Sequence, residues 1–335
     1  MTISRRRFAR TLAVMAGAAA AAAEWPFRLG CETAQSPVAF ARSDSLKRMN
    51  DDIDERAATR LLNLALETIT GKKNPAEAWK SLFSAHETVG VKLSCLPGRK
   101  LSSSRGVVAA IVAGLRSAGV APERIIVWER TRRELERAGF GSAVSGAPVV
   151  ATDDRLGGGY SESLEFQGGV GTCFSRLMER VDALVNVPVL KDHDIAGLSF
   201  GMKNFFGAIY NPNKYHANRC DPFVADVCAH PLVCGKLRLV IGDASRIQVH
   251  GGPAFSPSFA REYGALLVGR DPVAVDFTGW QIVESLRQEM RLPSLRDAGR
   301  EPTYIMTASR QGLGRAGAPL IRRIEIKDPS GEALP

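Results

Sequence analysis

Apolar residues recur along the chain at two spacings that alternate from residue 43 onward. Helical spacing, with apolar positions three or four residues apart, predicts helices over 43–70, after Asn74, over 105–118, 132–138 and 223–233, and from Asp271 onward. Short apolar, β-branched runs predict strands over 88–95, 124–128, 147–151, 183–190, 237–241 and 264–268. This alternation predicts an α/β fold with a mostly parallel sheet and helices on both faces.

Residues that favour helix ends stand at several of these boundaries. Ser104 is a candidate N-cap for the helix that follows it, and Asp271 is a candidate N-cap for the last long helix, which has Pro272 in its first turn. Gly71 and Gly119 come directly after helical segments and are typical stop signals. Local side-chain chemistry therefore agrees with the boundaries that the apolar spacing predicts.

The first 23 residues resemble a twin-arginine (Tat) export signal. The basic segment Ser4-Arg5-Arg6-Arg7-Phe8-Ala9-Arg10 precedes an alanine-rich stretch of about 13 residues, shorter than the roughly 20 that a spanning helix needs. Cleavage is expected after Ala23, and Arg28 disfavours a lipid anchor on Cys31. We therefore expect a soluble periplasmic or secreted protein that uses the Tat export machinery and has no stable membrane anchor.

Composition places the chain among globular proteins. Of 335 residues, 45% are hydrophobic and 24% are charged, which excludes disorder, collagen and coiled coil as the main architecture. We expect a linker over 24–42 and a single α/β domain over 43–335. The formal net charge is +9, and removal of the four arginines in the predicted signal leaves +5. This modest excess disfavours a nucleic-acid partner and fits a small anionic ligand.

Polar residues follow the predicted strands, and ligands of open α/β sheets gather beyond the carboxyl ends of strands. The densest polar segment covers 191–226. The groups expected to bind a carboxylate or phosphate are Lys92, Lys191, Lys203 and Asn204. Acid–base chemistry is assigned to His193 or His216, with Asp221 orienting a histidine. The alternative interpretation is a solvated loop whose glycines make turns and whose lysines face water.

Metal binding is a second chemistry that the residue types allow. The candidate ligands are His216, Cys220 and Cys228, although their spacing is not typical of a metal site. Closely repeated C-x-x-C units are absent from the sequence, and a serine hydrolase is not expected. The six cysteines need no disulfide framework in a chain of this size, and buried inert thiols explain them equally well. No cofactor is assigned.

A set of short motifs is distributed along the chain. They are VKLSC at 91–95, NVPVLKDH at 186–193, GMKNFFG at 201–207, HANRCDP at 216–222, GGP at 251–253 and DPVAVD at 271–276. In combination they resemble the family called domain of unknown function 362, over roughly 89–326. The resemblance implies the family's fold and a crevice but supplies no reaction. Some members carry an attached ferredoxin-like iron–sulfur module, which this sequence lacks.

Three functional hypotheses from different classes remain open. The first is an exported protein whose crevice binds an anionic small molecule, with transformation of that molecule left open. The second is a metal- or iron–sulfur-associated redox or maturation accessory protein that uses His216, Cys220 and Cys228. The third is a periplasmic ligand-binding protein without catalysis.

Overall fold

The computed structural model describes residues 35–329. The predicted export signal, its cleavage point after Ala23 and the disfavoured lipid site at Cys31 lie outside the described residues. Within 35–329, no helix combines the length and the apolar character needed to cross a membrane.

Ten of the strands found within residues 35–329 form one sheet. The strands are β1 (Ser36–Arg42), β2 (Val89–Lys92), β3 (Ile125–Glu129), β4 (Val149–Ala151), β5 (Glu165–Gln167), β6 (Val170–Thr172), β7 (Ala183–Asn186), β8 (Val189–His193), β9 (Gly197–Ser199), β10 (Leu237–Gln248), β11 (Ala260–Gly269) and β12 (Ile321–Ile326). The order across the sheet is β12-β1-β11-β10-β7-β2-β3-β4, with β8 paired to β10 and β9. β5 and β6 form a separate two-stranded sheet.

Most strand pairs in the large sheet are parallel. β10, β7, β2, β3 and β4 run in one direction, each hydrogen-bonded to its neighbour. β11 is antiparallel to both β10 and β1. The direct connection from β10 to β11 has no crossover α-helix, which a parallel pairing of the two would need. The prediction of an α/β fold with a mostly parallel sheet is confirmed.

Helices cover both faces of this sheet. The α-helices of the described range are α1 (Glu55–Thr70), α2 (Pro75–Lys80), α3 (Arg105–Ser117), α4 (Arg132–Arg137), α5 (Arg176–Arg180), α6 (Phe223–Ala229), α7 (Pro231–Cys234), α8 (Pro272–Glu289) and α9 (Tyr304–Arg310). Leu239 and Ile241 of β10 belong to the apolar cluster that α1, α2 and α3 cover. Gly242 of the same strand lies on the other face, where Phe200 separates it from Gly279 of α8.

The helices α1, α2 and α3, which cover one face of the sheet, pack so closely that one position requires glycine. A Cβ atom at Gly114 of α3 would lie 2.0 Å from the ring of Trp79 in α2, a distance that no carbon pair tolerates. Trp79 is fully buried, and its Nε1 donates a hydrogen bond to Asn63 of α1. These closely packed helices and the strands β2, β3 and β7 share one apolar core.

The structure confirms two predicted helix ends and moves one helix start. Asp271 caps α8, since its side chain accepts hydrogen bonds from the next helical N–H groups, and Gly71 ends α1 in the left-handed conformation. Ser104 occupies the predicted N-cap position of α3, but its side chain makes no capping hydrogen bond. α1 begins at Glu55 rather than at residue 43, because the Asp54 side chain accepts a hydrogen bond from the Ala57 N–H.

Two predicted elements are each divided in two at a proline. The apolar run over 183–190 forms β7 and β8, which are separated by Val187 and Pro188. The predicted helix over 223–233 forms α6 and α7, which meet at His230 and Pro231. Proline has no N–H to donate and restricts the residue before it, so a regular element cannot continue through it.

The expected linker over 24–42 does not extend to Arg42. Residues Ser36–Arg42 form β1, which pairs with β11 on one side and β12 on the other. Four consecutive apolar residues in this strand, from Val38 to Ala41, are buried on both faces. The folded domain therefore begins before residue 43.

Candidate functional site

A cavity of about 360 Å³ lies where β2, β3 and β8 end, beside a 3₁₀-helix over Lys203–Ala208. Its lining residues are Lys92, Ser94, Cys95, Leu96, Glu129, Arg130, Glu134, Lys191, His193, Ser199, Lys203, Asn204, Phe206, Gly207, Pro212, Asn213, His216 and Pro253. The cavity thus occupies the position at which open α/β sheets hold ligands, beyond the carboxyl ends of parallel strands.

Six of the seven residues predicted to bind a ligand or to move a proton line this cavity. They are Lys92, Lys191, His193, Lys203, Asn204 and His216. The first and last of these are more than a hundred residues apart in the sequence. The parallel pairings of β2 with β7, of β7 with β10 and of β10 with β8 bring the ends of β2 and β8 to one edge of the sheet. Asp221 is the predicted residue that lies elsewhere.

The positive charge of Lys92 is compensated by a carboxylate of the protein. Its fully buried Nζ lies 2.7 Å from Glu129 Oε1 and donates a second hydrogen bond, also of 2.7 Å, to the Leu93 carbonyl oxygen. Glu129 also accepts hydrogen bonds from the backbone N–H groups of Cys95 and Arg130. Lys92 is therefore half of a buried ion pair in the cavity wall, rather than a free cation for a ligand.

Lys191 and Lys203 are buried without such a match. Lys191 is 2% exposed, and its Nζ donates a hydrogen bond of 2.9 Å to Ser94 Oγ. Lys203 is 6% exposed, and its Nζ lies 3.2 Å from His216 Nε2 and 4.2 Å from the centre of the Phe206 ring. Among residues 35–329, neither ammonium group has a carboxylate within ion-pair distance. Burial lowers the pKa of each lysine to about 8.

His216 accepts a hydrogen bond from Lys203. Its Nδ1 lies 3.2 Å from the Pro212 carbonyl oxygen, which can only accept, so Nδ1 carries the proton. In the neutral ring, Nε2 is then an acceptor and faces the Lys203 ammonium. Burial and the Lys203 charge lower the pKa of His216 below its usual range. Neutral His216 is therefore poised to take a proton from Lys203.

His193 has the opposite tautomer. Its Nδ1 accepts hydrogen bonds of 3.2 Å from the Ile195 and Ala196 N–H groups, so the proton of the neutral ring is on Nε2. Burial, aided by the charges of Lys203 and other nearby cations, lowers the pKa of His193 to about 2. The ring stacks on His216, with 5.4 Å between centres. His193 is consequently a neutral hydrogen-bond donor at Nε2 near pH 7, and of the two histidines considered for acid–base chemistry, His216 is the one whose acceptor nitrogen faces a lysine.

Asp221 does not orient either histidine. It lines a separate groove together with Arg219, Trp280 and Glu301. The backbone from Asn218 to Cys220 is left-handed, and this turn directs Asp221 away from the cavity that holds the histidines. Pro212 and the backbone after His193 hold the two rings instead. The expectation for Asp221 is therefore corrected.

The three candidate metal ligands do not form one set. Cys220 lies beside Lys203, which in turn contacts His216. Cys228 is buried in α6, where its thiol donates a hydrogen bond to the Met202 carbonyl oxygen. In the part of the chain that the structure describes, no group of three or more His, Cys, Asp or Glu side chains is arranged to hold a metal ion.

Two glycine motifs that the sequence reasoning passed over have different structural roles. Residues 197–201, GLSFG, have the G-x-S-x-G spacing, but Ser199 lies in β9 rather than at a strand-to-helix turn. Residues 312–317, GLGRAG, have the G-x-G-x-x-G spacing but follow α9 and precede β12, the reverse of a dinucleotide-binding unit. Neither motif has the context that its usual chemistry requires.

Several lining residues were not among the predicted site residues. Glu129 and Arg130 lie at and just beyond the end of β3, and the same strand-end rule that found Lys92 could have found them. Glu134 belongs to α4 and forms an ion pair with Arg130. Phe206 lies within a predicted motif, but nothing in the sequence distinguishes it from the buried Phe205.

A buried network fixes the segment that carries Lys203. Asp276 of α8 accepts hydrogen bonds from the N–H groups of Gly201 and Met202, at 2.6 and 3.1 Å. Asn186, at the end of β7, donates to the Gly201 carbonyl oxygen and accepts from Asn204. Burial raises the pKa of Asp276 to about 8. The 3₁₀-helix is thereby held against the sheet by side chains from two elements.

Gly207 leaves room for the buried ion pair, so we expect Gly207→Ala to destabilise the protein. A Cβ atom there would lie 2.8 Å from both Lys92 Nζ and Glu129 Oε1. Overpacking of this kind costs about 1–3 kcal/mol, which denaturation in urea measures. Gly141→Ala is the matched control, since a Cβ at Gly141 meets no atom within 4 Å. Equal stability of the two variants would contradict this assignment.

Two solved structures show partial similarity to the chain. The lactate racemase apoprotein from Thermoanaerobacterium thermosaccharolyticum aligns with a TM-score of 0.47 and 17% identity, over 78% of this chain and 60% of that one. A protein from Thermotoga maritima, solved by the Northeast Structural Genomics Consortium, aligns with a TM-score of 0.41 and 9% identity, over 72% of this chain and 60% of that one. The chain thus spans about 60% of the length of each. No curated protein matches the sequence significantly.

A match to a family model is stronger evidence than the similarity to these two structures. The model of one family, described as Domain of unknown function (DUF362), matches residues 89–281, which include every residue that lines the cavity. The match ends before residue 326, the limit expected from the motifs. It nevertheless covers more than half of the 335 residues. The chain therefore belongs to the DUF362 family.

Proposed function

We propose that the cavity binds a small carboxylate or phosphate anion between the ammonium groups of Lys191 and Lys203. The observation that carries this proposal is the presence of two buried lysines in one cavity with no carboxylate partner among residues 35–329. A buried unpaired charge is costly for a folded protein, and such a cost is retained where the charge serves a ligand. An anion placed between them supplies the missing partner.

The remaining charges in the cavity wall cancel in pairs. Glu129 is paired with Lys92, and Glu134 is paired with Arg130. The wall therefore has two uncompensated positive charges when both histidines are neutral. A ligand with one or two negative charges is matched to this wall, whereas a cation is repelled.

The size and polarity of the cavity restrict the ligand further. A volume of about 360 Å³ is at the lower end of the range for small-molecule pockets. His193 contributes a neutral Nε2–H, and Ser94 contributes a hydroxyl that already accepts a hydrogen bond from Lys191. Carboxylate or phosphate oxygens can accept hydrogen bonds from both the ammonium groups and the imidazole.

Isothermal titration calorimetry with malonate, succinate and inorganic phosphate tests this function. We expect at least one of these anions to bind the wild-type protein at pH 7, and Lys191→Met to weaken its binding by about 30-fold or more, as loss of a buried charge partner does. Lys80→Met removes an exposed lysine of α2 and is the matched control, for which we expect wild-type affinity. Failure of all three anions to bind, or equal affinity of Lys191→Met and wild type, contradicts the proposal.

We also propose that residues 1–23 direct export by the twin-arginine pathway. The support is the run of arginines at 5–7 before an alanine-rich stretch. Replacement of Arg5 and Arg6 by lysine keeps the positive charge but removes the arginine pair. Fractionation of a bacterium with an active Tat pathway should find wild type in the periplasm and the double variant in the cytoplasm. Unchanged periplasmic accumulation of the variant would refute this proposal.

A further inference from the structure

We propose that Lys203 forms a Schiff base with the carbonyl carbon of a small oxo acid whose carboxylate is bound by Lys191. This inference rests on the proposed anion site and names the substrate class of that site. It assigns different tasks to the two buried lysines, one electrostatic and one covalent.

The surroundings of the two ammonium groups support this division. Lys203 Nζ lies 3.2 Å from His216 Nε2, which the hydrogen bond from Nδ1 to Pro212 leaves as a proton acceptor. The hydrogen bond that Lys191 Nζ donates within residues 35–329 goes to the Ser94 hydroxyl, and a hydroxyl is a poor base. Lys203 is therefore the lysine with a base in place to take its proton.

Burial favours the neutral amine of Lys203 and outweighs the opposite effects of Cys220 and Asp194. The groups that face it are His216, Cys220, the Phe206 ring and, at longer range, Asp194. None of them is a carboxylate within ion-pair distance, and burial lowers the pKa of Lys203 to about 8. At pH 7 about a tenth of the amine is then neutral, against less than about one part in a thousand for an exposed lysine.

The reaction balances with the groups present. His216 Nε2 takes a proton from the Lys203 ammonium, and the free amine attacks the carbonyl carbon, so that a C–N bond forms as the C=O π bond breaks. The oxygen takes one proton from the attached nitrogen and a second from His216, and it leaves as water as the C–O bond breaks and the C=N bond forms. The product is a protonated imine, and the net change is one oxo acid plus one ammonium giving one iminium plus water. No oxidant or reductant is consumed.

Reductive trapping tests the covalent step. Wild-type protein is incubated with pyruvate, 2-oxobutyrate or 2-oxoglutarate and sodium cyanoborohydride, and peptide mass spectrometry locates the added mass. We expect at least one of these acids to label Lys203 in preference to other lysines. Lys203→Arg keeps a cation that cannot form an imine, so this variant should give no label at position 203 while still binding 2-hydroxybutyrate measurably. The control variant Lys80→Met should be labelled at Lys203 to the same extent as wild type.

The outcomes separate the two proposals. Wild-type protein that binds 2-hydroxybutyrate by calorimetry but is not labelled at Lys203 by any of the three oxo acids overturns the Schiff base and leaves the anion site standing. Wild-type protein that binds neither these acids nor malonate, succinate or phosphate contradicts both, whereas binding of succinate alone overturns only the Schiff base. Labelling spread evenly over the exposed lysines also overturns the Schiff base, because it shows no special reactivity at Lys203.

His216 has a separate kinetic signature. We expect His216→Gln, which keeps a polar side chain but loses the base, to slow labelling of Lys203 on the order of 100-fold without changing which residue is labelled. If His216 only filled space, its replacement would reduce labelling by unfolding the protein, and circular dichroism would detect the unfolded variant. Unchanged labelling rates in folded His216→Gln would remove the histidine from the mechanism.

Discussion

Lys92→Met should lower the free energy of unfolding by about 3–5 kcal/mol, because it leaves the Glu129 carboxylate buried without its partner. The pair is 2.7 Å apart, and both side chains are almost completely removed from water. Methionine fills similar space, so the loss reports the missing charge rather than a hole. Denaturation in urea at pH 7 measures this change as a lower midpoint.

The double variant Lys92→Met with Glu129→Gln separates charge from packing. It removes both charges while keeping side chains of similar volume, and we expect it to recover most of the stability lost in Lys92→Met. A double variant as unstable as Lys92→Met would show that packing or the hydrogen bond to the Leu93 carbonyl oxygen determines the effect.

Lys191→Met should have the opposite effect and raise the free energy of unfolding at pH 7 by about 3 kcal/mol. The wild-type lysine is charged and buried at this pH, and the difference between its ordinary pKa of 10.5 and its folded pKa of about 8 corresponds to a cost of this size. The folded pKa lies below the unfolded one. Hence the unfolded chain binds more protons between pH 8 and 10.5, and wild-type stability gains from this group as pH rises through that window.

The free energy of unfolding of wild type and Lys191→Met, measured from pH 7 to pH 10.5, tests the sign of this pH dependence. The groups that face Lys191 are Glu129, Cys95, Lys203 and Lys92, and all of them remain in the variant. We expect the advantage of Lys191→Met to shrink steadily above pH 8, while Lys80→Met follows wild type throughout. A variant less stable than wild type at pH 7 would mean that Lys191 stabilises the fold, and its assignment to a ligand would fail.

Local features of the fold were predictable from the sequence because they depend on neighbouring residues. The cap at Asp271 and the stop at Gly71 each involve backbone groups within a few residues. The division of the run over 183–190 was missed, although Pro188 marks it, because the apolar residues on both sides continue without a break.

The site was predictable where it follows from strand ends and not where it depends on the path of a loop. Lys92 ends β2 and Lys191 lies near the end of β8, so the topology of a parallel sheet places them together. The direction of Asp221 depends on the left-handed backbone at 218–220, for which the sequence has no clear signal. The charge of the cavity wall also depends on the fold, since the pairing of Lys92 with Glu129 leaves Lys191 and Lys203 as lining cations without a carboxylate partner among residues 35–329.

We propose that Lys191 and Lys203 are buried cations with no carboxylate partner among residues 35–329 until an anion enters the cavity. The most direct measurement is an NMR titration of isotope-labelled lysine side chains, assigned with the Lys191→Met and Lys203→Met variants, with and without saturating succinate. We expect Lys191 and Lys203 to have a pKa of about 8 in the free protein, and each pKa to rise when succinate binds. Values near 10.4 for every lysine, or low values that succinate leaves unchanged, would contradict it.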